Sequence, residues 1–127
     1  MSNAKAFEEA VEMFEGGCAC SQAVLASVAE RLGLDRDLAL RISACFAVGM
    51  REGEVCGAVT GAYMALGLAH CGADCDTAAG RQAAYAKVVS FNRLFRERHG
   101  TLLCRELGRD KCPELVRDAA LILGELL

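Results

Sequence analysis

Between Val55 and Cys71 the chain carries no Asp, Glu, Lys or Arg, and Gly57, Gly61 and Ala65 recur there at every fourth position, with Ala58 and Ala62 beside them. Residues four apart share one face of an α-helix, so the segment presents a smooth stripe against which another helix packs closely. Glycine inside a helix costs roughly 0.5–1 kcal/mol relative to alanine, so two glycines at helical spacing imply close approach rather than helix propensity. The stretch is therefore expected to be a central, buried helix. It is too short and too rich in Gly and Ala for a membrane span, which needs about 20 apolar residues. Its opening, Gly53-Glu54-Val55-Cys56-Gly57, puts a cysteine at the helix start. There the free backbone N–H groups and the helix dipole favour a negative charge, and a depressed thiol pKa is expected.

A chain of 127 residues has the length of one domain with a core of its own. Hydrophobic residues make up 54%, with one Pro and no Trp, which favours helices over sheet. A net charge of -3 argues against nucleic-acid binding, because phosphate recognition needs a concentrated positive surface. Arg93, Arg96 and Arg98 are interleaved with Glu97 and read as a solvated helix face. Met1 to Phe14 mixes acids with apolar residues and has no continuous apolar run, so it does not read as a secretory signal. The expectation is a cytoplasmic protein. In that setting eight cysteines point to metal binding or thiol redox chemistry rather than a disulfide framework.

Taken in order, Phe7, Ala10, Val11 and Phe14 lie at helical spacing opposite Glu8, Glu9 and Glu12, and Gly16-Gly17 stops this first helix. A second runs from about Cys20 through Leu25, Val28, Ala29 and Leu32 to Gly33. Asp35 is the expected N-cap of a third, with Leu38, Ile42, Cys45, Phe46 and Gly49 inward. Gly49 to Gly53 forms a turn that delivers the central helix and whose backbone can approach a ligand closely. Asp74-Cys75-Asp76-Thr77 supplies caps for a long helix from about Ala78 to Arg98, lined inside by Ala84, Val88, Phe91 and Phe95. A short turn at Cys104 to Leu107 follows, and Cys112-Pro113 opens the last helix. There is no strand signal, internal repeat or low-complexity linker. The sequence thus predicts an all-α fold: one domain over residues 1–127, a bundle of about six helices around the Gly/Ala-rich one.

Cys20, Cys56, Cys104 and Cys112 share one property, a predicted position at or near the start of a helix or helical turn. Thiolates favoured there serve as nucleophiles in disulfide exchange and as ligands for soft metals. Four helix starts converging at one end of a bundle would gather these thiols. The opposing reading is that cysteine behaves as a small buried hydrophobe, as expected for Cys45. His70 and His99 read as helix-end residues rather than catalytic bases. Arg51, Glu52 and Glu54 flank the central motif as residues able to tune Cys56 or as a solvated turn, and Tyr63 and Tyr85 are expected in or near the core.

These segments also carry a resemblance. Phe14-Glu15-Gly16-Gly17-Cys18-Ala19-Cys20-Ser21-Gln22-Ala23-Val24-Leu25 resembles the FxxGxxCxQAVL opening of a family named for its cysteine pattern, C-GCAxxG-C-C, and proposed to be redox-active. Cys56-Gly57-Ala58-Val59-Thr60-Gly61-Ala62 is similar to its CGAxxG signature, and Cys104-Arg105-Glu106-Leu107 and Cys112 resemble its last two cysteines. The resemblance runs from Phe7 to about Leu126 and implies a helical, redox-active protein whose characteristic cysteines fall on Cys20, Cys56, Cys104 and Cys112. Cys18, Cys45, Cys71 and Cys75 lie outside that pattern. Cys18 stands close enough to compete with Cys20. Cys71 and Cys75 share a loop in which a bridge is sterically open, although adventitious thiols are the expectation.

Three functional readings follow. The first is thiol–disulfide exchange or electron transfer by Cys20, Cys56, Cys104 and Cys112, with a redox protein or a small thiol or disulfide as partner. It lacks the compact C-x-x-C of most dithiol oxidoreductases. The second is a zinc or iron–sulfur site held by the same four cysteines, at spacings without the usual C-x-x-C knuckles. The third is a helical interaction or small-ligand module with structural cysteines and a pocket at Gly49 to Gly53. A homodimer is weakly favoured, because the Gly/Ala stripe suits an intersubunit contact as well as an internal one.

Overall fold

A computed structural model describes residues 3–127, with side chains from Phe7 onward. Seven α-helices form within these residues: α1 (Asn3–Glu15), α2 (Cys20–Ala29), α3 (Arg36–Ser43), α4 (Gly57–His70), α5 (Gln82–His99), α6 (Cys104–Leu107) and α7 (Cys112–Leu126). The fold is all-α, and no helix among the described residues is long and apolar enough to cross a membrane. Asp35 caps α3 through its carboxylate, which accepts the Leu38 N–H at 2.9 Å, and Gly100 in a left-handed conformation (φ 82°) ends α5.

Helix α4 is the centre of the packing. Ala58, Val59, Ala62, Ala65 and Leu66 are fully buried, together with Val24 and Leu25 of α2, Phe91 and Phe95 of α5, and Val116 and Ile122 of α7. The glycine stripe is used inside the chain. A Cβ on Gly61 would lie 2.6 Å from the Ser21 carbonyl oxygen, so only glycine lets α4 come this close to α2. Of the two uses open to the stripe, the internal one is realised at Gly61, where α2 packs against it.

Helix α3 packs on a different face from the one its apolar spacing predicts. Leu38 and Ile42 are 41% and 50% exposed and Cys45 is exposed, whereas Ala39 and Ser43 are fully buried. The small pair allows close contact with α2, and polar bonds secure it. Ser21 Oγ donates to the Ser43 carbonyl at 2.7 Å, and Gln22 Nε2 donates to the Leu40 carbonyl at 2.9 Å. The expectation of a core Cys45 fails for the same reason: it lies beyond α3 in a 3-10 turn, Ala44–Phe46, outside this packed face. Tyr85 is also misplaced by the sequence reading. It is 51% exposed on α5, where its hydroxyl accepts from Arg81 Nε at 3.0 Å, while Tyr63 is half-buried and donates to Asn92.

Cys71 and Cys75 form a disulfide across the loop that follows α4, so these two thiols are paired rather than free. The two histidines do close helix ends, as predicted, and each has a specific partner. His70 Nε2 lies 2.7 Å from the Leu126 carbonyl. His99 Nε2 lies 2.9 Å from the buried Asp118 carboxylate, which Arg98 and Arg117 also approach.

Candidate functional site

Four separate segments meet at one end of α4. Cys56 is the cap residue of α4, and Cys20 is the first residue of α2. Gly57 joins them: a Cβ there would lie 2.5 Å from Cys20 Sγ, so the space a side chain would fill is taken by the Cys20 sulfur. The Cys-Gly pair of the motif thus places one thiol on its own residue and makes room for a second. Cys104 is brought in by a single antiparallel bridge between Val55 and Leu103. In it Cys56 N–H donates to the Leu102 carbonyl and Cys104 N–H donates to the Glu54 carbonyl, both at 2.7 Å. Arg105 reinforces the junction by donating to the Gly53 carbonyl at 3.2 Å and pairing with Glu54 at 3.4 Å. Cys112 arrives as the first residue of α7.

All four cysteines line a single cavity of about 390 Å³, with Phe14, Ala47, Leu107, Pro113 and Leu115 among its apolar walls and Arg51 and Arg109 as its charged residues. Cys56 is 3% exposed and the other three are half-buried. Cys20 and Cys104 are close enough to interact electrostatically with both Cys56 and Cys112, and Cys104 also with Cys20. Cys18 packs against the core and does not line the cavity, so it does not compete with Cys20 there.

At Cys20, Cys56 and Cys112 burial overturns the predicted thiolates. The Cys56 thiol is pushed up to about 12 by loss of solvent, and the neighbouring Cys20 and Cys104 add to the rise. The Ala58 and Val59 amides at the α4 start pull the other way and recover only part of it. Burial likewise raises Cys20, against the Val48 and Ser21 amides, and raises Cys112 with help from Cys20 and Cys104. Desolvation of a charged thiolate outweighs the donors of a helix terminus. The resting thiols Cys20, Cys56 and Cys112 are therefore protonated at neutral pH.

The wall between Ala47 and Arg51 has an uncommon backbone. Val48, Gly49, Met50 and Arg51 are consecutive left-handed residues, with φ of 56°, 57°, 58° and 64°. Such a conformation costs about 1–2 kcal/mol for each non-glycine residue and is an outlier for β-branched valine. The turn is closed by Glu54 N–H donating to the Gly49 carbonyl at 3.0 Å. A turn was expected here from the glycines, and Arg51 was among the residues named in it. Val48, whose amide faces Cys20, and Arg109 were not anticipated, because neither carries a signal outside the folded pocket.

Two places offer possible metal ligands. Among the described residues His99, Glu114 and Asp118 bring one ligand atom each within 4.8 Å of one another. The four cavity thiols are the residues that could hold a soft metal or an iron–sulfur group.

A helical domain whose thiols converge on one cavity defines a cysteine-pocket protein. The family described as "Putative redox-active protein (C_GCAxxG_C_C)" matches residues 18–126, and the chain belongs to it. No curated protein matches the chain, and no solved structure does.

Proposed function

We propose that this protein exchanges thiols and disulfides in its cavity, with Cys20, Cys56, Cys104 and Cys112 as the reacting set. The observation that supports the reading most directly is that cysteines from four separate segments line one cavity. In the exchange, a pocket thiol loses its proton and attacks one sulfur of an incoming disulfide. The substrate S–S bond breaks, a mixed disulfide forms and one thiol leaves with a proton. A second pocket thiol then attacks the protein sulfur, closing an internal disulfide and releasing the second thiol. Two electrons and two protons pass to the substrate, and a cellular thiol or redox protein returns them. The half-buried Cys104 and Cys112 suit the entering step, and the buried Cys56 suits the resolving one. The reading assigns the protein to the cytoplasm, where a reduced thiol pool sustains the cycle. Free-thiol counting through reduction and reoxidation tests it in a Cys71→Ser, Cys75→Ser background, which removes the loop disulfide, with and without Cys56→Ser. Reversible loss of two thiols in the background protein, absent when Cys56 is also replaced, is expected; no reversible change in the background protein sinks the reading.

The same placement favours a second reading, an iron–sulfur group held by the four cysteines, which would supply one-electron transfer when bound. The chain's own contribution would be the four sulfur ligands, a largely apolar wall and the amides around Cys20 and Cys56. Iron and sulfide analysis of anaerobically purified protein decides it: stoichiometric iron lost on Cys56→Ser supports the cluster, and iron-free protein with full helix content rejects it.

A further inference from the structure

We propose that the cavity recognises a small disulfide carrying carboxylates, held by Arg51 and Arg109. The inference rests on the thiol–disulfide reading of the same pocket. Arg51 and Arg109 are the charged residues lining the cavity, and both are cations. Among the described residues neither guanidinium makes an ion pair or hydrogen bond, whereas the adjacent Arg105 is held by Glu54 and Gly53. Glu52, Glu54 and Asp110 are not part of the lining, and of these only the Asp110 charge acts on a cavity thiol, Cys112, where the Arg109 charge opposes it.

The backbone adds an independent observation. Arg51, itself exposed, ends the run of left-handed residues that begins at Val48, and Val48 and Arg51 both line the cavity. Strain of this kind persists where surrounding structure fixes it and clusters at ligand sites. Its result here is that an exposed arginine lines a thiol cavity. The volume of about 390 Å³ suits a compact organic molecule rather than a protein segment. A guanidinium presents a planar fork of donors matched to a carboxylate, and two of them on separate segments match a molecule with an acid on each side of its S–S bond. The exchange itself is the one given above: two protein thiols become one disulfide, and the diacid disulfide becomes two acid thiols.

The test compares three disulfides of similar reactivity and different charge: dithiodipropionate, the neutral bis(hydroxyethyl) disulfide, and cationic cystamine. Each is reduced by the full-length reduced protein carrying Cys71→Ser and Cys75→Ser, which removes the loop dithiol outside the cavity, at fixed ionic strength, and in parallel by free dithiothreitol, which has no binding site and so reports intrinsic reactivity alone. Rates are read as ratios to the neutral disulfide within each variant, which cancels changes in thiol reactivity or folded fraction. With both arginines present this protein is expected to favour the dianion over cystamine about tenfold more than dithiothreitol does, as two solvent-accessible carboxylate–guanidinium pairs would give. Arg51→Ala with Arg109→Ala should bring the ratio to that of dithiothreitol, and Arg51→Glu with Arg109→Glu should invert it. A ratio equal to that of dithiothreitol with both arginines present, or one undiminished in the double alanine variant, overturns the proposal.

Binding of thiodipropionate, a diacid thioether that cannot exchange, separates this inference from the redox reading. Calorimetric binding that the double alanine variant loses, with no disulfide reduced, sustains the anion site and rejects exchange. Reduction of all three disulfides in the same ratios as dithiothreitol, without thiodipropionate binding, rejects the anion site and keeps exchange. Neither binding nor reduction rejects both.

Discussion

Gly61→Ala tests the close approach of α4 to α2, the contact that sets Cys20 against the Cys56-Gly57 start of α4. Its new Cβ would lie 2.6 Å from the Ser21 carbonyl oxygen and 3.3 Å from the Ser21 Cα. These are backbone atoms of a packed helix, so no side chain can rotate away and the helices must separate. Overpacking of this kind costs about 1–3 kcal/mol, while alanine recovers about 0.5–1 kcal/mol of helix propensity. The net expectation is a loss of about 0.5–2 kcal/mol, or a Tm lower by about 2–8 °C. Gly67 in the same helix is the control, because a Cβ there meets nothing within 4 Å. Gly67→Ala should gain up to about 1 kcal/mol. The two variants are compared by urea unfolding under reducing conditions, with unchanged m-values as the check that only stability has moved. Gly61→Ala as stable as wild type, or both variants shifted in the same direction, would refute the close-packing argument.

Other outcomes follow from the same structure. Gly57→Ala places its Cβ 2.5 Å from Cys20 Sγ, so it should displace that sulfur and change the rate of Cys20 alkylation relative to Cys112, read by mass spectrometry of labelled peptides. Equal relative rates in wild type and variant would reject the nesting of the two residues. The raised Cys56 pKa predicts alkaline destabilisation: the folded state keeps a proton that the unfolded chain releases, so this contribution is complete below pH 9.0 and is lost as pH rises toward about 12. Urea midpoints for Cys56→Ala should accordingly fall less steeply than those of wild type across that interval. Cys71→Ser with Cys75→Ser removes a bridge across an exposed loop of short span and should cost no more than about 2 kcal/mol. The double variant should leave exchange by the cavity thiols intact. Asp118→Ala removes the carboxylate partner of the buried His99 ring and should cost about 1–3 kcal/mol by thermal unfolding, with midpoints equal to wild type counting against that contact.

Much of the fold was legible because local chemistry and tertiary use agree. The Gly57, Gly61 and Ala65 spacing names the central helix, Asp35 and Pro113 mark helix starts, and Phe91 and Phe95 mark the buried face of α5. Agreement fails on α3. Leu38, Ile42 and Cys45 share an apolar spacing, yet the small Ala39 and Ser43 are the residues that meet α2. Periodicity reports which residues share a face; it does not report which face a neighbour takes.

The site divides in the same way. The sequence alone identified Cys20, Cys56, Cys104 and Cys112 as residues at helix starts, because capping and turn signals are local and act over a few residues. It determined the all-α class for the same reason. Only the tertiary structure decided that these starts converge on one cavity, that Cys20 sits where Gly57 lacks a side chain, and that Arg51 and Arg109 line the same cavity as the thiols. It also decided the charge state. A helix terminus lowers a thiol pKa through nearby donors, but the desolvation that raises Cys56 to about 12 is set by every segment packed around it. No local run of residues carries that information.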